Sequence, residues 1–470
     1  MKKIYSLLLL AVCLFSLNLF GEENYRAYPI DFKDGNFGEL QNGMRYYIIN
    51  SNSELVHILV YINAGTNCED QTNKGISALT LETVARVALK SMAGKKIRDI
   101  SNEMPFSFSI NKDINFAVIE MTVLKDDLEK FLDVIKEILF NATITENEVE
   151  DAKNYLKNFA LQKKYNAGNK VQQELFKLLY GEYTAEAQEL SSASYSKLSL
   201  KDVNMFYKKY YIPANCYIGV SSSLPAENVE MLVKGKFAQV SGGKEENCPI
   251  SDKPDNESIV LILQKTGLEK SIVGVGKKLN LPQGDQLVED LPILELALTI
   301  VYSDSPSARL IKQFKVERNL SDLVNLSFFV SNNPKKGYFL VFAYPESKKV
   351  GFSAYIVGRV FADLITNPPK GEELNQGKMA LLANLNYNSS DPSLFLKTNM
   401  EFIIRGFSPN YVKKYSQILS KATTDDLVRI CRDYFSMKKY QYVIYGSGEN
   451  FSREMDVFGK VVMRNASIEE

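Results

Sequence analysis

A segment near the middle of the chain recurs near its end, and this repeat constrains the fold more than any other feature. Ser199–Tyr211 reads SLKDVNMFYKKYY and Thr423–Phe435 reads TTDDLVRICRDYF, with an offset of 224 residues throughout. The matched pairs are Asp202/Asp426, Val203/Leu427, Phe206/Ile430, Tyr210/Tyr434 and Tyr211/Phe435. A strand-like segment follows each copy, CYIGVSSS and then YQYVIYGS. The repeat favours a duplicated α/β domain over two unrelated amphipathic helices, which remain the alternative.

Length and charge narrow the class of protein further. The chain has 470 residues, of which 45% are apolar and 24% charged, so it is long enough for two domains of about two hundred residues each. Lys and Arg together number 56, as do Asp and Glu, so the formal charge is zero. No long-range positive field would attract nucleic acid, and we exclude nucleic acid as a partner.

The N-terminus has the pattern of an export signal. Two lysines, Lys2 and Lys3, precede an apolar run from Tyr5 to Phe20, and Gly21 precedes acidic residues. We predict a signal peptide over residues 1–21, and therefore a periplasmic or extracellular protein. A membrane anchor would need a longer run of about 20 residues, and lipidation of Cys13 is a further alternative. We expect no membrane span in the mature chain.

Cysteine spacing says little about metal binding. The mature chain keeps Cys68, Cys216, Cys248 and Cys431, which are scattered and form no C-x-x-C pair. A thiolate zinc site is therefore not expected, while one disulfide in an oxidising compartment is possible.

The pattern of apolar residues and turns predicts an α+β fold: two similar tandem α/β domains, each a mostly antiparallel sheet covered by helices. In the first domain an Asn-Gly turn at Asn42-Gly43 predicts a hairpin, and Thr145 is a predicted N-cap. The other predicted elements there are a strand over 56–64 and helices over 75–92, 124–139, 145–164 and 198–211. The predicted domains are 25–240 and 258–465, joined by a polar linker over 241–257.

Four stretches together resemble the pitrilysin/insulinase family of zinc peptidases, which includes the mitochondrial processing peptidases. They are LQNGMRYYI, then LVYINAGTNCED with KGISALTLETVARVA, then KLSLKDVNMFYKKYYIPANCYIGV, and finally SARLIKQFKVERNLSDLV. They follow one another in order over nearly the whole mature chain. The resemblance implies two similar α/β domains and, in an active member, a zinc-dependent peptidase.

Active members carry an inverted zinc motif, H-x-x-E-H, in which two histidines bind zinc and the glutamate is the general base. Aligned on Gly75, these positions are Ala78, Leu81 and Glu82. A third zinc ligand, a glutamate on the long helix over 145–164, corresponds to Lys157 or Asn158. The resemblance thus implies that the site is degenerate, and we expect neither a catalytic residue nor a bound zinc ion or other cofactor.

Histidine content supports this expectation independently of alignment. The chain contains a single histidine, His57, so one chain cannot supply a two-histidine zinc site. His57 lies within the apolar run LVHILVYI and is interpreted as an ordinary strand residue. Glu82 stands between Thr80 and Thr83 and has no evident partner that would adjust its pKa for acid–base work.

Family enzymes also use an arginine and a tyrosine from the second half to hold the substrate backbone. The resemblance places these at Lys315 and Asp322, of which only the lysine keeps the positive charge and the aspartate cannot act as a phenol donor. The substrate clamp is therefore predicted to be degraded. Arg318 is interpreted as part of a packing ion pair.

These inferences predict an exported, catalytically inactive peptidase homologue. We expect a non-catalytic subunit that pairs with a zinc-bearing sister chain and contacts extended peptides. The alternative is a stand-alone peptide-binding or scaffold protein that forms a homodimer. An active peptidase of another chemistry would need a nucleophile–base pair, which the sequence does not supply.

Overall fold

The structure is a computed structural model that describes residues 32–466, with gaps at 165, 249–256, 283, 331–336 and 437. The predicted signal peptide and Cys13 lie outside the described residues. Within those residues the chain forms two six-stranded sheets with helices around them. This confirms the predicted α+β fold of two similar tandem domains.

The first sheet has the strand order β1-β2-β6-β3-β5-β4. Its strands are β1 Gly35–Glu39, β2 Arg45–Asn50, β3 Leu55–Ile62, β4 Ser107–Lys112, β5 Ala117–Leu124 and β6 Cys216–Ser222. All neighbours are antiparallel except β2 and β6, which are parallel. The predicted hairpin is β1–β2, whose turn places Gly43 at φ 85°. That left-handed backbone favours glycine.

The second sheet has the order β12-β7-β11-β8-β10-β9. Its strands are β7 Ile259–Gln264, β8 Ile272–Leu279, β9 Val324–Val330, β10 Gly337–Ala343, β11 Gln441–Gly446 and β12 Lys460–Asn465. Five consecutive positions, from β7 to edge strand β9, match the first sheet strand for strand, from β2 to edge strand β4. The outer strand differs, because β1 precedes its domain and lies antiparallel to β2, whereas β12 closes its domain and lies parallel to β7.

Helices of the first half cover one face of the first sheet, except for α5, which packs on the second sheet. They are α1 Ile76–Val84, α2 Ile97–Ile100, α3 Leu128–Phe140, α4 Glu146–Lys164, α5 Ala167–Tyr180, α6 Ser192–Ser196, α7 Leu200–Tyr210 and α8 Ala226–Phe237. The predicted helix over 75–92 is shorter than expected: it stops at Val84, and a turn and a short 3-10 helix, Lys90–Met92, follow it. The predicted strand and the other predicted helices agree with the structure to within about four residues at each end.

Helices of the second half follow the same order. They are α9 Asp285–Val301, α10 Arg309–Ile311, α11 Val350–Thr366, α12 Glu372–Ser390, α13 Pro392–Ile404, α14 Tyr411–Lys421 and α15 Thr424–Tyr434. A π-helical turn, Lys312–Glu317, continues α10. None of the helices in the described part of the chain is long and apolar enough to cross a membrane.

The repeat recognised in the sequence is the pair α7 and α15. Each helix begins with the same capping box, Ser199 with Asp202 in the first and Thr423 with Asp426 in the second. In each box the hydroxyl accepts from the third helical amide and the aspartate accepts from the cap amide, which satisfies two otherwise unpaired donors. Each helix then leads into the strand that lies parallel to the first long strand of its own sheet.

The two halves exchange equivalent helices. Helix α5 of the first half packs on β8 and β11 of the second sheet, and α13 of the second half packs on β3 and β6 of the first. Gly274 and Gly219 lie under these helices and leave room for their side chains. Tyr180, at the end of α5, donates its hydroxyl to the carbonyl oxygen of Gly337 at 2.9 Å. Each sheet is therefore covered on one face by a helix of the other half.

This exchange predicts opposite effects of alanine at two glycines. In Gly274→Ala the new Cβ would lie 2.6 Å from Cγ1 of Val171 and 2.8 Å from Cδ1 of Leu175, so we expect a loss of about 1–3 kcal/mol in the free energy of unfolding. Gly235→Ala, on the exposed side of α8 with no atom within 4 Å, should instead gain up to about 1 kcal/mol. Chemical denaturation measures both, and equal effects would contradict the packing of α5.

Candidate functional site

The helix that carries the degenerate motif, α1, is held at its first turn by a carboxylate. Glu69 accepts from the backbone amides of Gly75 at 2.7 Å and Ser77 at 3.0 Å, and from the side-chain amide of Gln188 at 2.8 Å. Burial raises the pKa of Glu69, and Lys112 and these donors oppose that shift. A carboxylate at the N-terminus of a helix accepts hydrogen bonds from amides that have no partner within the helix, and its charge interacts favourably with the helix dipole. The sequence analysis did not single out Glu69.

Two of the three motif positions face the core of the first domain. Ala78 is 4% exposed and Leu81 is 3% exposed, and both belong to the hydrophobic cluster between α1 and the sheet. Their side chains carry no atom that could bind a metal or move a proton. These two motif positions are therefore core positions.

Glu82, the third motif position, has a partner after all. Its carboxylate forms an ion pair with Arg86, one turn later on α1, and the Arg86 guanidinium also donates to the Glu82 carbonyl oxygen at 2.6 Å. The guanidinium lies 5.1 Å from the centre of the Tyr155 ring on α4. The sequence interpretation missed Arg86, although the i,i+4 spacing of Glu and Arg on a helix was a usable signal.

Helix α4 packs on α1, as a third ligand for the motif would require. Lys157 is half-buried and Asn158 is exposed. Tyr155 and Phe159, on either side of them, are 51% and 45% exposed. The structure therefore places the four motif positions on two adjacent helices, with the exposed aromatic rings of Tyr155 and Phe159 next to the α4 positions.

These residues do not fit a zinc ion. Zinc in proteins takes imidazole, thiolate or carboxylate ligands, whereas the positions hold a methyl group, an isobutyl group, a carboxylate already paired with Arg86, and an amine or carboxamide. Among the described residues, no group of three or more His, Cys, Asp and Glu side chains is placed to hold a metal ion. The absence of bound zinc remains a prediction.

The two clamp positions of the second half are both on the surface. Lys315 lies in the π-helical turn after α10, and Asp322 lies in the segment before β9. Among the described residues, no hydrogen bond or ion pair joins either side chain to α1 or α4. Arg318 was predicted to form an ion pair, but it donates to Gln313 at 2.7 Å and lies over the Phe352 ring at 5.3 Å.

His57 lies on β3, on the face of the first sheet that α13 covers. Its Nδ1 is 3.0 Å from the hydroxyl of Thr122 on β5, and burial lowers its pKa while Asp391 opposes the shift. It lines a small cavity of about 70 Å³ with Lys397 and Glu120, which form an ion pair between the halves at 2.8 Å. The single histidine therefore lies on a strand and faces α13, whereas the motif positions are on helices α1 and α4.

One disulfide joins Cys68 to Cys248, across 180 residues. Cys68 follows β3 in the loop that leads to α1, and Cys248 lies in the segment after α8 that was predicted as a linker. Cys216 and Cys431 are free and buried. The sequence allowed one disulfide, and the structure contains one. The spacing of the cysteines alone did not predict which two are paired.

Two family models match the chain. The model described as Insulinase (Peptidase family M16) matches residues 46–191, and the one described as Peptidase M16 inactive domain matches residues 197–381. A "Probable zinc protease PqqL" of Haemophilus influenzae is 26% identical over 253 residues, which are 51% of this chain and 27% of that protein. The match therefore spans about a quarter of the length of that relative.

Solved structures share the fold. A peptidase M16 inactive domain from Pseudomonas fluorescens superposes with a TM-score of 0.78 at 17% identity, covering 88% of this chain and 98% of that one. The periplasmic protease PqqL from Escherichia coli gives a TM-score of 0.71 at 14% identity, covering 88% of this chain but 45% of that one.

The fold is duplicated, and the motif positions lie on the helix that follows β3. These features are those of a homologue of the inverted-motif zinc peptidases. The chain belongs to the pitrilysin/insulinase family, peptidase family M16.

Proposed function

We propose that this protein is an exported, non-catalytic half of a two-chain M16 peptidase, in which a sister chain supplies the zinc site. The observation that carries the proposal is the state of the motif helix. Ala78 and Leu81 are buried in the core, and the Glu82 carboxylate is paired with Arg86. No side chain at these positions is free to bind zinc or act as a base.

The size of the chain supports a role as one half of a larger enzyme. Most of this chain superposes on less than half of the E. coli periplasmic protease. A half that has lost its zinc ligands can still line a peptide chamber and stabilise an active partner. In the first domain, β4 is a sheet edge whose outer backbone groups could pair with an extended peptide.

Export is supported by the predicted signal peptide and by the disulfide. Disulfides persist in oxidising compartments such as the periplasm and are rare in the cytosol. The Cys68–Cys248 bond therefore agrees with a periplasmic or extracellular location.

The first test of this proposal is the composition of the native complex. We expect gentle extraction from the source cells, followed by native mass spectrometry, to find this chain bound to a sister chain with an intact H-x-x-E-H motif. A homodimer would favour the alternative, a stand-alone peptide-binding scaffold, and would contradict the two-chain proposal.

The purified chain alone should hold no stoichiometric zinc and should not cleave an unstructured fluorogenic peptide in a chelator-sensitive way. Metal analysis and a fluorescence assay with and without 1,10-phenanthroline measure this. Glu82→Gln should leave both results unchanged. Chelator-sensitive cleavage that Glu82→Gln abolishes would show an active site and overturn the proposal.

A further inference from the structure

A cavity of about 250 Å³ lies in the second half, between β9, α9, α12, α13 and α14. It occupies the place that corresponds to the motif site of the first half. Asn384 on its wall is the thirteenth residue of α12, as Asn158 is the thirteenth residue of α4. Edge strand β9 corresponds in turn to edge strand β4. At this place the second half therefore has a solvent-accessible, partly polar cavity, where the first half has buried apolar side chains and surface residues.

Opposite charges face this cavity without pairing. Glu401 lies in the last turn of α13 and Arg405 is the C-cap of the same helix, and both line the cavity. Among the described residues, no hydrogen bond or ion pair engages either side chain. Both are half-buried. A carboxylate and a guanidinium that face one cavity without partners can each pair with a ligand group of opposite charge.

Neutral polar groups also line the cavity. Asn388 donates to the side-chain oxygen of Asn384 at 3.2 Å and to the hydroxyl of Thr398 at 3.5 Å. This arrangement leaves the amide nitrogen of Asn384 as a free donor. Glu295, from α9, already accepts a hydrogen bond from the hydroxyl of Tyr415. Glu401 and Arg405 are thus the charged groups with capacity for a ligand.

Apolar side chains also line the cavity. Phe328 on β9 and Phe402 on α13 line it, together with Leu381 and Leu385 on α12. The volume is that of about eight water molecules at roughly 30 Å³ each, which suits a ligand of about that many non-hydrogen atoms. The cavity thus offers one carboxylate, one guanidinium and several apolar side chains to a ligand of this size.

We propose that this pocket binds a free α-amino acid with an apolar side chain. Arg405 presents its two-pronged donor to the ligand carboxylate, Glu401 accepts from the ligand ammonium, and the aromatic and leucine wall receives the side chain. The proposal is independent of the lost zinc site, because every residue in it belongs to the second half.

The test is titration calorimetry of L-leucine into the full chain, with leucinamide and N-acetyl-leucine as analogues that lack one charge each. We expect L-leucine to bind and each analogue to bind at least about tenfold more weakly, because each loses a charged hydrogen bond. The absence of heat with L-leucine, or equal affinity for all three, would overturn the proposal.

Two variants test which side chain binds the ligand carboxylate and which binds the ligand ammonium. Arg405→Gln should abolish the discrimination between L-leucine and leucinamide, and Glu401→Gln should abolish that between L-leucine and N-acetyl-leucine. Burial raises the pKa of Glu401, so its charge destabilises the fold as the pH rises above the carboxyl's ordinary range. Glu401→Gln should therefore also raise the melting temperature at neutral pH, which shows that lost binding is not misfolding.

Matched controls are Glu289→Gln, an exposed carboxylate on α9 paired with Lys414, and Arg432→Gln, an exposed arginine on α15. Neither should change the affinity for L-leucine. An equal loss in a control and in its pocket counterpart would contradict the assignment. Preference for a longer unstructured peptide over L-leucine would do the same, since it would place binding at a sheet edge.

Discussion

Removing the Cys68–Cys248 disulfide is expected to lower the free energy of unfolding by about 2–5 kcal/mol, toward the upper end of that range. The two cysteines are 180 residues apart, so the bond closes a long loop. A cross-link lowers the chain entropy of the unfolded state, and this effect grows with the length of the loop. Guanidinium denaturation with and without a phosphine reductant measures the difference.

The double variant Cys68→Ala/Cys248→Ala is the control for reduction of the disulfide. Its stability should match that of the reduced wild type and should not respond to reductant. Cys216 and Cys431 are free and buried in both proteins. A reductant effect of equal size in the double variant would show that the disulfide is not the source.

Arg429→Met is expected to cost about 3 kcal/mol. Asp290 on α9 is 2% exposed and accepts from Arg429 at 2.8 Å and from the Tyr434 hydroxyl at 2.7 Å, both on α15. Without the arginine, the buried carboxylate keeps only neutral donors, the Tyr434 phenol and the side-chain amide of Gln286 at 3.5 Å, and a buried charge without a counter-charge is strongly destabilising. Thermal and chemical unfolding measure the loss.

The double variant Asp290→Leu/Arg429→Met separates the charge from the packing. Replacing a buried ion pair by apolar side chains is often neutral, so this variant should recover most of the stability lost in Arg429→Met. Arg432→Met, an exposed arginine on the same helix, should change stability by less than about 0.5 kcal/mol. No recovery in the double variant would mean that Arg429 stabilises the helix in another way.

The sequence was sufficient for the fold because its signals were local and repeated. The pairs Asp202/Asp426 and Tyr210/Tyr434 were visible at one offset, and the structure shows the same capping box in both copies. Apolar periodicity located most helices and strands. The end of α1 was misjudged because apolar residues continue through the turns that follow it, where Val87 is also buried.

The site was only partly predictable. Alignment on Gly75 identified Ala78, Leu81 and Glu82, but their burial and the pairing of Glu82 depend on contacts with other elements. Arg86 was within reach of sequence reasoning, since it lies one turn from Glu82. The Cys68–Cys248 pairing, the Asp290–Arg429 contact and the cavity beside Glu401 join residues distant in the chain, and local patterns carry no information about such contacts.

The exchange of α5 and α13 has a mechanical consequence. Because each sheet uses a helix of the other half as part of its own cover, the two halves of this chain cannot swing apart without uncovering both cores. The two sheets should therefore move as one rigid body, with no hinge between them. If the chain pairs with a sister chain as we propose, an opening wide enough to admit a peptide is expected at the contact between the two chains.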